Sequence, residues 1–327
     1  MPPVIRALTD GRAGIRTQVL GLAEALAART GGRVVEASVR LRPAFAALPE
    51  RLLAWLVPLG LSPVRLDAPE GGVPDVLIAA GRAGLAASLS ARRHAPQVFR
   101  VQIQDPRLDP ALFDAVIAPA HDGLEGENVL ALLGAPNRIT PARLAEAKEA
   151  WETRLAHLPR PRAAILLGGP SRAYRFGPAE AARIAAGLQD LAARWPGGFL
   201  LTGSRRTDPA ALATIAAALP ADRSFLWDGR GENPFFGFLA HADHVLVTED
   251  STNMITEAAA TGRPVHLLPL AGGSAKFARL HAALMAAGHV RRFGGTLEGP
   301  PPPGPLAETA RAADWLAQRL SARMPPA

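Results

Sequence analysis

The chain has 327 residues, 48% of them hydrophobic and 20% charged, which excludes a disordered or fibrous protein and suits two globular domains better than one. It contains no cysteine, so disulfides, zinc–thiolate sites, iron–sulfur clusters and a Cys nucleophile are all excluded. The net charge is +7, but the arginines are dispersed and no nucleic-acid signature is present. That balance suits a phosphate-bearing substrate or an anionic lipid surface, and no nucleic-acid partner is expected.

Met-Pro-Pro-Val-Ile-Arg runs directly into a first strand over 4–8 with no basic and apolar leader, so a cytoplasmic protein is expected; peripheral attachment at the inner membrane is the alternative. The next loop is Thr9-Asp10-Gly11-Arg12-Ala13-Gly14. Its glycines permit close backbone approach, and the helix predicted over 16–28 offers free N–H groups. Gly11, Arg12 and Gly14 therefore read as a substrate loop, with Asp10 either a general base or part of a tight turn. Further strands are predicted over 33–38, 76–80, 97–102 and 115–118, and helices over 49–56, 84–93 and 141–158. The stretch 43–66 is apolar, with Trp55 among leucines and Arg42, Arg51 and Arg65 around it. A core or interdomain helix is expected there, and a bilayer-resting patch is the alternative. Strand ends also supply Gln104, before Asp105-Pro-Arg107, and His121 beside Asp122, where an imidazole suits acid–base work.

Pro159-Arg-Pro161 is the expected domain boundary. Beyond it, strands are predicted over 163–167, 198–202, 224–227, 244–248 and 265–268, with helices between them. After the first of these strands, Gly168, Gly169, Ser171, Arg172 and Arg175 form a candidate diphosphate loop: backbone donors from glycine, charge from arginine. Ser204, Arg205 and Arg206 repeat that composition after the next strand. Asp250, Ser251, Thr252 and Asn253 crowd the start of an alanine-rich helix, where the free N–H groups and positive dipole end favour an anion. Glu257 shares the helix face of Asn253 and suits a ribose diol. Plain helix capping explains the Asp and Ser equally well, and the residues alone leave that choice open. A proline-rich connector, 299–305, precedes a last helix over 306–323.

Strands alternating with helices give an α/β architecture of two Rossmann-like domains facing a cleft, with ligands outside the carboxyl strand ends. The expected divisions are 1–158, 162–304, and a terminal segment 305–327 that packs back on the first domain. Thr9-Asp-Gly-Arg12, Gln104-Asp-Pro-Arg107, His121-Asp-Gly123, Gly168-Gly-Pro-Ser171, Ser204-Arg-Arg-Thr207, Asn233-Pro-Phe235 and Asp250-Ser251 with Glu257-Ala258 span most of the chain. Together they resemble the mitochondrial-fission ELM-type family, whose bacterial members are labelled nucleoside-diphosphate-sugar epimerase-like and whose fold is similar to GT-B glycosyltransferases. The resemblance implies a second domain that holds a nucleotide sugar and a first that holds the acceptor. Glu257 would take the ribose, and the loops at Gly168–Arg172 and Ser204–Arg206, with Ser251 and Thr252, the diphosphate. Asp10 and His121 would be candidate bases.

The expected function is a metal-independent glycosyltransferase using a nucleotide-sugar donor, with no tightly bound cofactor and an acceptor such as an envelope glycolipid. No D-x-D pair is present, and arginines with helix dipoles would carry leaving-group charge. A nucleotide-sugar 2-epimerase is the enzymatic alternative. A non-catalytic membrane-associated adaptor with a protein partner, as in mitochondrial fission, is the other.

Overall fold

The computed structural model describes residues 2–57, 61, 63–67 and 72–323. Two compact units are present: 1–138 together with 307–327, and 139–306.

The first unit runs β1 (Val4–Thr9), α1 (Ala13–Thr30), β2 (Arg33–Leu41), α2 (Glu50–Leu56), β3 (Val64–Asp67), β4 (Val76–Ala80), α3 (Gly81–His94), β5 (Phe99–Ile103), β6 (Ala115–Pro119) and β7 (Val129–Leu132). Among the described residues its sheet has seven strands in the order β3-β2-β1-β4-β5-β6-β7. All neighbours pair in parallel except β3, which is antiparallel to β2. β4 and β5 are buried along their whole length, as a sheet covered on both faces requires. α1 ends at Gly31, whose φ of 66° gives the left-handed turn that closes a helix.

The second unit runs α4 (Pro141–Leu155), β8 (Arg162–Leu167), β9 (Tyr174–Arg175), α5 (Pro178–Arg194), β10 (Gly198–Gly203), α6 (Pro209–Ala217), β11 (Ser224–Trp227), α7 (Phe235–His241), β12 (His244–Thr248), α8 (Thr252–Ala260), β13 (Val265–Leu268), β14 (Ala271–Gly272), α9 (Ala275–Ala286) and β15 (Val290–Arg292). Its six-stranded sheet, in the order β11-β10-β8-β12-β13-β15, is parallel throughout. β9 and β14 form a separate antiparallel pair. The last helix, α10 (Glu308–Arg323), returns to the first unit, where Ala312, Leu316 and Leu320 join the core built on α1 and the sheet. The two doubly wound units make a GT-B-like α/β fold.

The divide between the units falls at Arg138, earlier than the expected 159–161. The reason is Trp151 of α4. It is 4% exposed and meets Phe225 and Phe238 edge-on, with ring centroids 6.2 and 6.0 Å away. A Cβ on Gly237 would come within 2.4 Å of its indole, so α7 packs this close only as glycine. α4 therefore belongs to the second unit. The proline connector also follows that unit: a Cβ on Gly262 would touch Pro305 at 3.1 Å, and Leu306 N–H donates to Ala259 O. Of the expected terminal segment, 324–327 lies outside the described residues.

In the stretch 43–66, positions 58–60 and 62 lie outside the described residues. The described part holds a short helix that is buried on one side only, with Val57 in a core cluster and Ala54 packed against it. α2 is seven residues long; Leu53 is buried, while Trp55 is 62% exposed. β3 follows as an edge strand with outward Arg65 and Asp67.

Candidate functional site

In each sheet the strand order reverses once, between β1 and β4 in the first unit and between β8 and β12 in the second. Loops leaving the carboxyl ends on the two sides of such a reversal diverge and open a crevice.

At the second reversal, β8 ends in Gly168-Gly169, β10 in Ser204–Thr207 and β12 in Glu249-Asp250. Asp250 joins all three ends. Its side chain is wholly buried and pairs with the Arg206 guanidinium at 2.7 Å. It also accepts the Thr248 hydroxyl at 2.7 Å and the Gly169 N–H at 3.1 Å. Gly168 N–H donates to Thr248 Oγ1 at 2.7 Å, and Arg206 donates on to the carbonyls of Gly169 and Pro170. A Cβ on Gly168 would fall 2.1 Å from the Asp250 carboxylate, so only glycine fits.

The glycine N–H groups expected to face a diphosphate are therefore used inside the protein, and Arg206 is a structural clamp. Ser204 and Ser171 are occupied as well. Ser204 Oγ accepts the Arg206 N–H, and Ser171 Oγ accepts those of Ala173 and Tyr174. Arg172 and Arg205 differ: both are exposed, and neither has a hydrogen-bond or ion-pair partner among the described residues. Arg175 is exposed beside Glu180 and helps to lower that carboxyl's pKa, after the backbone N–H groups at the start of α5.

α8 starts at this same edge. Ser251 is its N-cap and accepts the Met254 N–H at 3.4 Å; Thr252 opens the first turn, where backbone donors have no intrahelical partner. Glu257, on the face of Asn253, is 6% exposed and has no hydrogen-bond or ion-pair partner among the described residues. Burial alone pushes its carboxyl up to about 8. At neutral pH the group is therefore mostly the protonated acid, which can both donate and accept a hydrogen bond.

Neighbouring groups add features that sequence reasoning did not select. Glu249 is 6% exposed, accepts the Leu270 N–H at 2.9 Å, and stands 3.9 Å from His281 Nδ1 and 3.7 Å from Arg292. Its only signal was its place beside Asp250 at a strand end. Tyr174 packs edge-on against Phe277 at 5.0 Å, under the loop Ala271–Ser274.

At the first reversal, Asp10 accepts both the backbone N–H and Nε of Arg12, forming a 2.6 Å ion pair. A Cβ on Gly81 would come within 2.8 Å of the Arg12 guanidinium and 3.7 Å of the Asp10 carboxylate, so the pair lies over the start of α3. Asp10, expected as a free base, is engaged. Gly11 sits at φ 83°, and Gly14 lies in the first turn of α1. Gln104 holds φ 72°, unusual for a residue other than glycine, and its amide donates to Gln18 at 3.1 Å. His121, in one 3₁₀ turn after β6, is 8% exposed with Nε2 3.8 Å from the Asp122 carboxylate. Asp10, Gln104 and His121 thus follow β1, β5 and β6 along one sheet edge.

The described residues contain no group of three or more His, Asp or Glu able to hold a metal, and no helix among them is long and apolar enough to cross a membrane.

The solved structure of UDP-GlcNAc 2-epimerase from Methanocaldococcus jannaschii matches 97% of this chain and 100% of its own, with a TM-score of 0.58 and 13% identity. The S. aureus MnaA–UDP co-structure matches 99% of this chain and 90% of its own, with a TM-score of 0.53 and 14% identity. At such identity the likeness is one of fold. Mitochondrial fission protein ELM1 of Arabidopsis thaliana is 33% identical over 279 residues, 76% of this chain and 65% of that relative's length. The family described as Mitochondrial fission ELM1 matches residues 13–320. With the family pattern covering nearly the whole of both units, the chain belongs to the mitochondrial fission ELM1 family.

Proposed function

We propose that the second unit binds a nucleoside-diphosphate sugar at the β8–β12 reversal and that the protein transfers the sugar to an acceptor hydroxyl as a glycosyltransferase. The observation that carries this reading is Glu257: a largely buried carboxyl with no hydrogen-bond or ion-pair partner among the described residues, on a helix whose N-terminus opens at the same edge. A ribose diol supplies the two hydroxyls such a group lacks. The first-turn N–H groups of α8, with Arg172 and Arg205, take the diphosphate. The relatives of like fold named for UDP-GlcNAc and UDP support this class of ligand.

In the transfer, the acceptor oxygen bonds to the anomeric carbon while the bond from that carbon to the diphosphate oxygen breaks. The leaving charge falls on the α8 N-terminus and the two free guanidiniums. The acceptor proton passes to a general base as the new bond forms. Calorimetric titration with UDP, GDP, CDP and dTDP, on the protein and on Glu257→Gln, tests the reading. Saturable binding of one nucleotide, weakened tenfold or more by the variant, is expected. Binding of none of the four would sink it.

Trp55 favours a second reading, a membrane-associated adaptor. It stands 62% exposed beside Leu52 and Arg51 on α2. Co-sedimentation with anionic vesicles that Trp55→Glu abolishes, in a protein that binds no nucleotide, would select it.

A further inference from the structure

Tyr174 is the only tyrosine in the chain, and its ring is packed into the second unit. It is 4% exposed, packs in the core of the second unit and meets Phe277 edge-on. Its backbone is equally tied: Ser171 Oγ accepts its N–H at 3.1 Å, and its carbonyl accepts the Ser171 N–H at 2.9 Å. Its hydroxyl, by contrast, has no hydrogen-bond partner among the described residues.

What lies above that hydroxyl is glycine. Gly272 and Gly273 hold φ 108° and 122°, and Gly273 N–H donates to Ala173 O at 2.6 Å. A Cβ on Gly272 would strike Ala173 O at 2.4 Å, whereas one on Gly273 would stand 3.9 Å from Tyr174 Oη. The loop comes this close because it carries no side chain, and it leaves the phenol oxygen uncovered. Burial, then the Glu249 and Asp250 carboxylates, push the phenol up to about 12, so it keeps its proton and remains a donor. Tyr174 also follows directly on the Gly168–Ser171 turn that Asp250 anchors, which puts it at the same strand ends as α8.

We propose that Tyr174 Oη donates a hydrogen bond to a hydroxyl or acyl oxygen of the sugar carried by the nucleotide, so that the Ser171–Tyr174 turn and the Gly272–Ser274 loop form a sugar-recognition subsite. This rests on the nucleotide-sugar reading above and adds where the sugar is read.

Tyr174→Phe removes only the oxygen and retains the ring packing. The test is titration of the protein and of Tyr174→Phe with UDP, GDP and dTDP and with the glucose and N-acetylglucosamine conjugate of each. For the nucleotide that binds, the expected result is a Kd for the free diphosphate unchanged within about twofold, and a sugar conjugate weakened about five- to tenfold, the size of one hydrogen bond. Equal loss on diphosphate and conjugate, or no loss on any conjugate, overturns the subsite and leaves the nucleotide site standing. Absence of binding by the unmodified protein overturns the nucleotide reading and the subsite with it.

Discussion

Arg206 and Asp250 form a 2.7 Å ion pair of unequal halves: the carboxylate is wholly buried, and the guanidinium is 44% exposed. Asp250 therefore depends on Arg206 far more than Arg206 depends on Asp250. The same carboxylate holds Thr248 and the Gly169 N–H, so the pair ties together three strand ends.

Arg206→Ala strands that carboxylate without its cation and is expected to destabilise the second unit by about 2–4 kcal/mol. Arg205→Ala, one residue away and exposed without a partner, should change stability by less than about 0.5 kcal/mol. Urea midpoints for the two variants measure the contrast. On nucleotide affinity a loss at Arg205→Ala without loss of stability is expected, because its charge is free for a phosphate.

Glu257 has a stability consequence independent of any ligand. Its folded value, about 8, lies above the ordinary 4.5. The neutral acid is favoured in the folded state, so this contribution is full below pH 4.5 and is lost as pH rises through 8. The span corresponds to on the order of 5 kcal/mol by pH 9. Glu257→Gln should remove the slope: its unfolding free energy should stay level between pH 6 and 9 where the unmodified protein's falls. A parallel fall in both proteins would show that Glu257 is not the cause.

His266 sets the opposite limit. It is wholly buried with both ring nitrogens unpartnered, and burial, then Arg291 and His244, push it down to about 4. Its folded value lies below the ordinary 6.5, so stability is full above pH 6.5 and is lost as pH falls through 4. About 3 kcal/mol is at stake over that span. His241, His244 and His281 are lowered in the same direction and steepen the loss. Comparing unfolding at pH 7 and pH 5, His266→Leu should be less acid-sensitive than the unmodified protein.

Trp151→Ala opens a cavity beneath α4 and should cost about 3–5 kcal/mol. Hydrogen exchange locates the damage. Faster exchange is expected across 139–306, with residues 2–57 and 72–138 protected as before. Faster exchange in the first stretch instead would place α4 in the other unit.

Much of the fold was legible because the central strands read as short apolar runs closed by Gly or polar turns; β8 and β12 are such runs. β3, β7, β9, β14 and β15 were not legible. They are two to four residues long, and Val-Arg-Arg of β15 has no strand pattern of its own. The boundary was misplaced because a Pro-Arg-Pro segment reads as a linker, whereas the partner of Trp151 is supplied some eighty residues later by Gly237 and Phe238. The strand-end positions of the candidate residues were readable from Gly and Asp after apolar runs. Their partners were not: that Asp10 is held by Arg12, and Asp250 by Arg206, depends on loops meeting in space. Glu257 was readable as a helix-face carboxylate, but its lack of a partner becomes visible only after folding.

The return of α10 sets an order of events during synthesis. Ala312, Leu316 and Leu320 complete the core over α1, and Arg29 waits for Asp314, although some 280 residues of chain separate these groups. A nascent chain emerging from the ribosome therefore holds an N-terminal unit with one apolar face uncovered while residues 139–306 emerge and acquire their own core. α10 closes the first unit only after residues 139–306 have emerged, and any pause before it prolongs the interval in which that face is open to chaperones or to other nascent chains.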